Sequence, residues 1–424
     1  MPRICVDGFN LAIPRGTGIA SYSRNLLATL DDCGHDTQVF YGMAQPKRAT
    51  ANESRLAEGD TKAFKPRKLE RFSETFLSRW GRSAQYVPKT SHVIWDERKG
   101  GAPVASGYWF NPSFFNYAWR AYNAYGTITP LKFEGQNSPD FMHWTCPLPA
   151  YGKGKENITT FHDLIPLILP YATGDDKVKF YELCKSTIDR SSKIVAVSET
   201  TAIDLHKILD VPLSKIHVTY QSADLPDIDM SDAEVAVNDV QEIFGLDWKK
   251  YFLHYGAVEP KKNLGRIVEA YLTSKVNIPL VLVGGRAWLE KDEVMLLEQI
   301  RERDLPSNKR IFQFQYLPRR LLVSLIRGAR AALFPSLYEG FGLPVLESMQ
   351  LSTAVLTSTA GSLPEVAGNA AIICDPYDID QLANGIKALA RDDDLTAELV
   401  SMGLVRAKHF SQKEYAARLR EVYR

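Results

Sequence analysis

Short apolar runs of strand length recur along the chain, separated by stretches whose apolar residues fall at helical spacing. The first run, ICVD (4–7), leads through a loop carrying Arg15, Gly16, Thr17 and Gly18. A stretch with Ile19, Tyr22, Leu26, Leu27 and Leu30 on one helical face follows, and TQVFYG (37–42) reads as the second strand of a βαβ unit. DFMHW (140–144), ITTFHD (158–163) and KIVAVS (193–198) supply further strands, with a helix over 176–191 between the last two. KIHVTYQS (215–222) closes this set, and the acidic, poorly periodic sequence at 224–239 reads as a linker. A second series comprises YFLHYG (251–256), IPLVLVGG (278–285), IFQFQY (311–316), AALF (331–334) and AVLTS (354–358), with helices between. The chain ends in a helix from Gln412. Strand and helix in alternation predict a doubly wound parallel sheet in each half.

Two stretches depart from this rhythm. Residues 47–99 hold 13 Lys and Arg against 7 Asp and Glu. Within them Leu69, Phe72, Phe76 and Trp80 are spaced by three, four and four, which predicts an amphipathic helix with basic flanks over 65–82. Such a helix suits an anionic membrane surface, or packing on the N-terminal domain with a solvated basic face. The aromatic-rich stretch 108–125 fits core packing or the wall of an acceptor groove.

A length of 424 residues predicts about two or three domains, and 45% hydrophobic with 24% charged residues is ordinary for a globular protein. The net charge of +1 gives no argument for nucleic acid. No run of about 18 apolar residues predicts a membrane span, and the opening MPRICVDGFNLAIPRG is too short and polar for a secretory signal. Five scattered cysteines without a CxxC pair suit reduced thiols in a cytoplasmic protein.

The chemistry concentrates in FPSLYEGFGLPVLESMQ (334–350). A strand, a turn with Gly340 and Gly342, and a helix start at Pro344 form an anion site, where unpaired N–H groups and the helix dipole favour phosphate. Glu339 and Glu347 flank it with seven residues between them; ionised carboxylates accept hydrogen bonds, so they suit sugar hydroxyls better than phosphate oxygens. Upstream, Lys261 and Lys262 precede Asn263, which reads as a helix N-cap. His162 stands at the end of a strand, where α/β sheets place ligand contacts. The DxD pairs Asp227/Asp229 and Asp378/Asp380 fall in turn or cap settings, so no metal site is predicted from them.

FPSLYEGFGLPVLESM resembles the signature of the retaining family 4 glycosyltransferases of GT-B architecture, and overall the chain is similar to bacterial mannosyltransferases of polysaccharide biosynthesis. The resemblance continues through GSLPEVAGNAA (361–371), Asp375-Pro376, DQLANGIKALARD (380–392), TTFHDLIP (159–166) and AVSE (196–199). It implies two Rossmann-like domains facing each other across a cleft. Residues 1–223 would bind acceptor, 240–411 would bind the nucleotide sugar, and a terminal helix over 412–424 would cross back to the first domain. It also implies that His162, Lys262 and Glu339 act in catalysis, with the glycine loop of Gly16 and Gly18 facing the cleft. Phe341, Gly342 and Leu343 would meet the donor through backbone N–H groups, and Glu347 would grip the ribose. Ala257 stands where the family pattern carries an arginine, leaving Arg286, Arg15 or Lys261 to supply that cation.

The expected activity is metal-independent transfer, with retention, from a nucleotide sugar to a saccharide or lipid-linked oligosaccharide, and no cofactor. GDP-mannose is the first expectation for the donor. The alternatives are a nucleotide-sugar epimerase on the same fold and a catalytically silent sugar-binding scaffold.

Overall fold

A computed structural model describes residues 1–12, 18–43, 52–58, 68–90, 92–95, 101–223, 233–285 and 311–424. Its N-terminal sheet contains β1 (Arg3–Asp7), β2 (Asp36–Tyr41), β3 (Arg82–Pro88), β4 (Gly107–Phe110) and β5 (Thr129–Phe133). It is completed by β6 (Phe141–Trp144), β7 (Ala150–Gly152), β8 (Glu156–Phe161), β9 (Lys193–Ala196) and β10 (Ile216–Val218). The order is β10-β9-β8-β6-β1-β2-β4-β3-β5-β7. From β10 to β4 the pairing is parallel; β3 joins β4 antiparallel, and β5 and β7 continue that reversed direction. The reversed extension has no counterpart in the apolar pattern. β3 buries residues irregularly, β5 contains Pro130, and β7 is only AYG.

The second sheet is all parallel: β11 (Phe252–Tyr255), β12 (Leu280–Val283), β13 (Ile311–Phe314), β14 (Ala331–Phe334), β15 (Ala354–Ser358) and β16 (Ile372–Cys374). Every residue of β11, β12, β14 and β15 is buried, as strands covered by helices on both faces must be. The order β13-β12-β11-β14-β15-β16 reverses direction between β11 and β14. Such a reversal opens a crevice at the carboxyl ends of the two central strands.

The acidic linker expected at 224–239 is shorter than that: a helix begins at Ala233, and buried Asp239 accepts bonds from Arg320 at 2.5 Å and Ser324 at 2.7 Å in the second unit. The aromatic stretch is core, with Tyr108, Trp109, Phe110 and Phe114 at most 1% exposed. Helix Lys68–Leu77 forms within the basic segment, followed by a tight turn Ser78–Trp80; Phe76, Leu77 and Trp80 remain exposed. The side chains of Leu69 and Phe72 lie outside the described residues. Among the described residues, no helix is long and apolar enough to cross a membrane.

The last helix, Gln412–Val422, packs against helix Gly18–Asp32 of the N-terminal unit. Tyr415, Leu419, Val422 and Tyr423 share a core with Ile4, Val6, Tyr22 and Leu26, and Gln412 accepts a 2.6 Å bond from the Ser222 hydroxyl. Leu419 is 1% exposed, so Leu419→Ala should cost about 2–5 kcal/mol of stability, measured by denaturant unfolding of the full chain. A cost near zero would mean that this helix contributes nothing to the N-terminal core.

Candidate active site

Two loops meet in the crevice between β11 and β14. After β11 the chain passes Gly256, at φ 140°, and turns at Pro260–Lys262. After β14 it runs through Ser336 and Glu339 to Gly342, at φ 102°, which precedes helix Leu343–Gln350. The Leu337 N–H donates to the Lys261 carbonyl at 2.7 Å, tying one loop to the other.

Glu339 is 8% exposed and holds the centre of this crevice. Its Oε1 accepts from Lys262 Nζ at 2.6 Å and from Ser336 Oγ at 2.9 Å, while Lys261 Nζ lies 3.8 Å from Oε2. Burial alone would raise this carboxyl; Lys262, then Lys261, outweigh it and hold the pKa at about 2. Burial would likewise lower the Lys261 pKa, but Glu339, Asp163 and Glu259 raise it above the ordinary lysine value. The Glu339 carbonyl is fixed from the other side by the N–H and hydroxyl of Ser362, both at 3.0 Å. A Cβ on Gly361 would come 2.5 Å from that oxygen, which explains the glycine before Ser362.

The N–H groups of Phe341, Gly342 and Leu343, at the helix start, donate to nothing among the described residues. The Phe341 ring is a buried plug, 5.5 Å from Phe410 and 6.3 Å from Tyr220 between centroids. Glu347 lies one turn into the helix, where Oε1 accepts from Arg319 at 3.0 Å and Oε2 from Tyr255 at 3.2 Å. Neither Arg319 nor Tyr255 carried a sequence signal for this position; each is far from Glu347 along the chain.

The N-terminal unit closes against this loop. His162 follows β8, and its Nε2 donates to the Thr145 carbonyl at 2.9 Å. Burial pushes the imidazole pKa down, so the ring is neutral near pH 7, with Nδ1 left as an acceptor 3.5 Å from Gln221 Nε2. The Thr145 N–H is held by Asp7 at 2.5 Å, so a buried acid at the end of β1 indirectly sets the histidine. Burial raises that acid to about 6 despite its backbone hydrogen bonds. A Cβ on Gly340 would come 1.8 Å from the His162 carbonyl oxygen; only glycine allows the two units this close. The contact is locked by Ser198 Oγ donating to the Gly340 carbonyl at 2.7 Å and by Tyr338 donating to Asp204. Glu365 also caps helix Glu199–Leu209, accepting from the N–H of Glu199 at 2.7 Å and of Thr200 at 3.1 Å.

His162, Lys262, Glu339, Phe341, Gly342, Leu343 and Glu347 therefore line one junction. Gly18 opens the first helix and is exposed; Gly16, Arg15 and Arg286 lie outside the described residues. Asn263 stands at the N-cap position as expected, but at φ 62° and without a side-chain cap bond. Its amide instead donates to the Pro335 and Pro376 carbonyls, at 2.9 and 2.7 Å, pinning the lysine turn to the neighbouring loops. Asp378 caps helix Ile379–Arg391, while Asp227 and Asp229 lie outside the described residues.

The ion cluster predicts an acid limb in stability. The folded Glu339 pKa lies below its ordinary value, so the unfolded chain binds more protons between about pH 4.5 and 2. The contribution is full above that window and lost as pH falls through it. Thermal unfolding from pH 5 to 2.5 should show a limb that flattens in Glu339→Gln; equal slopes would remove Glu339 as its source.

The comparisons with known proteins bear on the same two halves. The model of Glycosyltransferase Family 4 matches residues 16–225, and that of Glycosyl transferases group 1 matches residues 239–403. The chain is 33% identical over 259 residues to O-antigen chain mannosyltransferase B of Escherichia coli, covering 60% of this chain and 66% of that protein. It is 24% identical over 286 residues to the serotype-specific mannosyltransferase WbdA of Escherichia coli, covering 66% of this chain and 34% of that protein. The aligned stretch thus spans less than two thirds of either relative. Among solved structures, HepE from Anabaena, in complex with UDP and glucose, superposes with a TM-score of 0.66 at 13% identity, over 100% of this chain and 99% of that one. At that identity the likeness shows a shared fold, GT-B, with its two Rossmann-like units. Matched in both halves, one model after the other along the sequence, the chain belongs to the glycosyltransferases of group 1 and family 4.

Proposed function

We propose that this protein is a retaining, metal-independent glycosyltransferase. It moves a sugar from a nucleotide sugar, GDP-mannose in the first instance, to a saccharide or lipid-linked saccharide in surface polysaccharide assembly. The observation that carries this reading is the buried Lys262–Glu339 pair, on the loop that leads into the unpartnered N–H groups of Phe341, Gly342 and Leu343. Charge builds on the leaving diphosphate as the glycosidic bond breaks, and preorganised cations and N–H donors stabilise it. Lys262 exchanges Glu339 for the diphosphate, with Lys261 as the second cation in place of the arginine absent at Ala257. The released Glu339 oxygens then accept from donor sugar hydroxyls. Glu347 has two acceptor sites occupied by Arg319 and Tyr255 and keeps others for the ribose hydroxyls.

The motifs identify no carboxylate as a nucleophile for a double displacement, and the reading taken is front-face transfer. The acceptor oxygen bonds to the anomeric carbon as the bond to diphosphate breaks, and the acceptor proton passes to the departing diphosphate. The mannosyltransferase relatives support the sugar, and the O-antigen name of one supports the acceptor class. A lipid-linked acceptor would bring the reaction to the cytoplasmic face of a membrane.

Lys262→Ala should lower kcat by roughly 10²–10³, the order found for losing one transition-state stabiliser. Undiminished turnover would remove Lys262 from the reaction. Glu347→Ala should mainly raise the donor KM, since ribose contacts are made equally in ground and transition states; an unchanged KM rejects the ribose role. Thermal shifts with GDP, UDP, ADP and dTDP identify the base. Nucleoside diphosphate released only with acceptor present separates transfer from epimerisation and from a silent scaffold.

A further inference from the structure

A cavity of about 640 Å³ opens at the β5–β7 edge of the N-terminal unit and is lined by Phe76, Arg79, Trp80, Thr127, Tyr151 and Arg190 among others. It shares no residue with the crevice of Lys262 and Glu339. Its size falls within the roughly 300–1,000 Å³ of small-molecule sites. Phe76 and Trp80 stand edge to face at 4.9 Å, yet are 40% and 58% exposed. The Arg190 guanidinium lies 4.8 Å over the Tyr151 ring, and that of Arg79 lies 5.3 Å over Tyr125. Neither arginine has a carboxylate partner among the described residues. Arg82, close by, is bound to Glu74 at 2.5 Å and Ser78 at 2.9 Å; it anchors this corner and leaves Arg79 and Arg190 facing outward. The Thr127 hydroxyl is buried beside the cavity and has no hydrogen-bond partner among the described residues.

We propose that this cavity is a second saccharide site, which holds part of a neutral glycan chain outside the donor crevice. A pyranose ring has an apolar C–H face and a rim of hydroxyls. Trp80 and Phe76 offer flat apolar surface to the face, while the exposed Arg79 and Arg190 meet the rim. The chain also links the two places. Tyr151 comes six residues after Thr145, whose carbonyl holds His162, so at most about 22 Å separates them at roughly 3.6 Å per residue. The choice of glycan rests on the proposed function; the site itself does not.

The test uses the full chain with three neutral linear probes: α-mannotetraose, maltotetraose and chitotetraose. At least one should change the tryptophan fluorescence saturably. Trp80→Ala should abolish the change, and Arg190→Ala should weaken affinity about tenfold or more, as expected for an anchor residue. Both variants should keep the thermal shift given by nucleoside diphosphate, which reports an intact fold and donor crevice. No saturable response to any probe overturns the proposal, as does a response that survives in Trp80→Ala. Binding to anionic lipid vesicles that depends on Trp80, without any response to the oligosaccharides, also overturns it and assigns the patch to a membrane surface. A Trp80-dependent response in a protein that binds no nucleotide supports this site while the donor reading falls.

Discussion

A carboxylate that is 8% exposed must be met by positive charge, and the centre of this molecule is arranged around meeting Glu339. Its two lysines sit on the turn after β11 and the acid on the loop after β14. The pair can form only because these strands lie side by side in the second sheet. A buried pair of this kind adds little net stability, because desolvation offsets most of the attraction. Removing one partner is far costlier than never having built the pair. The arrangement therefore makes sense as stored polarity: cations already desolvated, held by an acid on the loop that leads into a helix start whose N–H groups lack partners.

The same loop holds the two units together. Gly340 lies against the His162 carbonyl, Tyr338 reaches Asp204, and Ser198 bonds the Gly340 carbonyl. Glu365, two residues past the helix start that follows Ser362, caps a helix of the other unit. Ser362 in turn fixes the Glu339 carbonyl. Charge at the Glu339 side chain and contact between the units are thus carried by one short stretch of backbone. A ligand that draws Lys262 away from Glu339 acts on the segment that positions His162.

How far the sequence foretold this depends on how local each signal is. Strands buried on both faces announce themselves as largely apolar runs, so β11, β12, β14 and β15 were legible. The Gly340–Gly342 turn and the helix after it were legible for the same reason: glycine and proline act on their own residues. The reversed strands β3, β5 and β7 were not, because short edge strands with Pro130 or irregular burial carry no period. Asn263 shows the limit of local chemistry. Asparagine suits both an N-cap position and φ near +60°; Asn263 takes both, and its amide is held by the distant carbonyls of Pro335 and Pro376 rather than capping the helix. Arg319 and Tyr255 were invisible as partners of Glu347 because only the packing of separate strands and helices brings them together.

On the proposed function, two adjacent lysines carry the work that the family pattern divides between an arginine and a lysine. Adjacent residues on a tight turn cannot present their side chains identically, and here they do not. Lys262 makes the direct 2.6 Å contact, whereas Lys261 stands at 3.8 Å from both Glu339 and Glu259. An arginine would offer a planar fork to two phosphate oxygens; a lysine is a compact, rotatable point charge. Geometry at the phosphates must then come from the fixed N–H groups at the start of helix Leu343–Gln350, with the lysines supplying charge. The Phe341 plug, the positive φ of Gly342 and the clamp on the Glu339 carbonyl all hold that helix start in place. A site whose cations are point charges needs its directional donors in the backbone, and that is where this chain puts them.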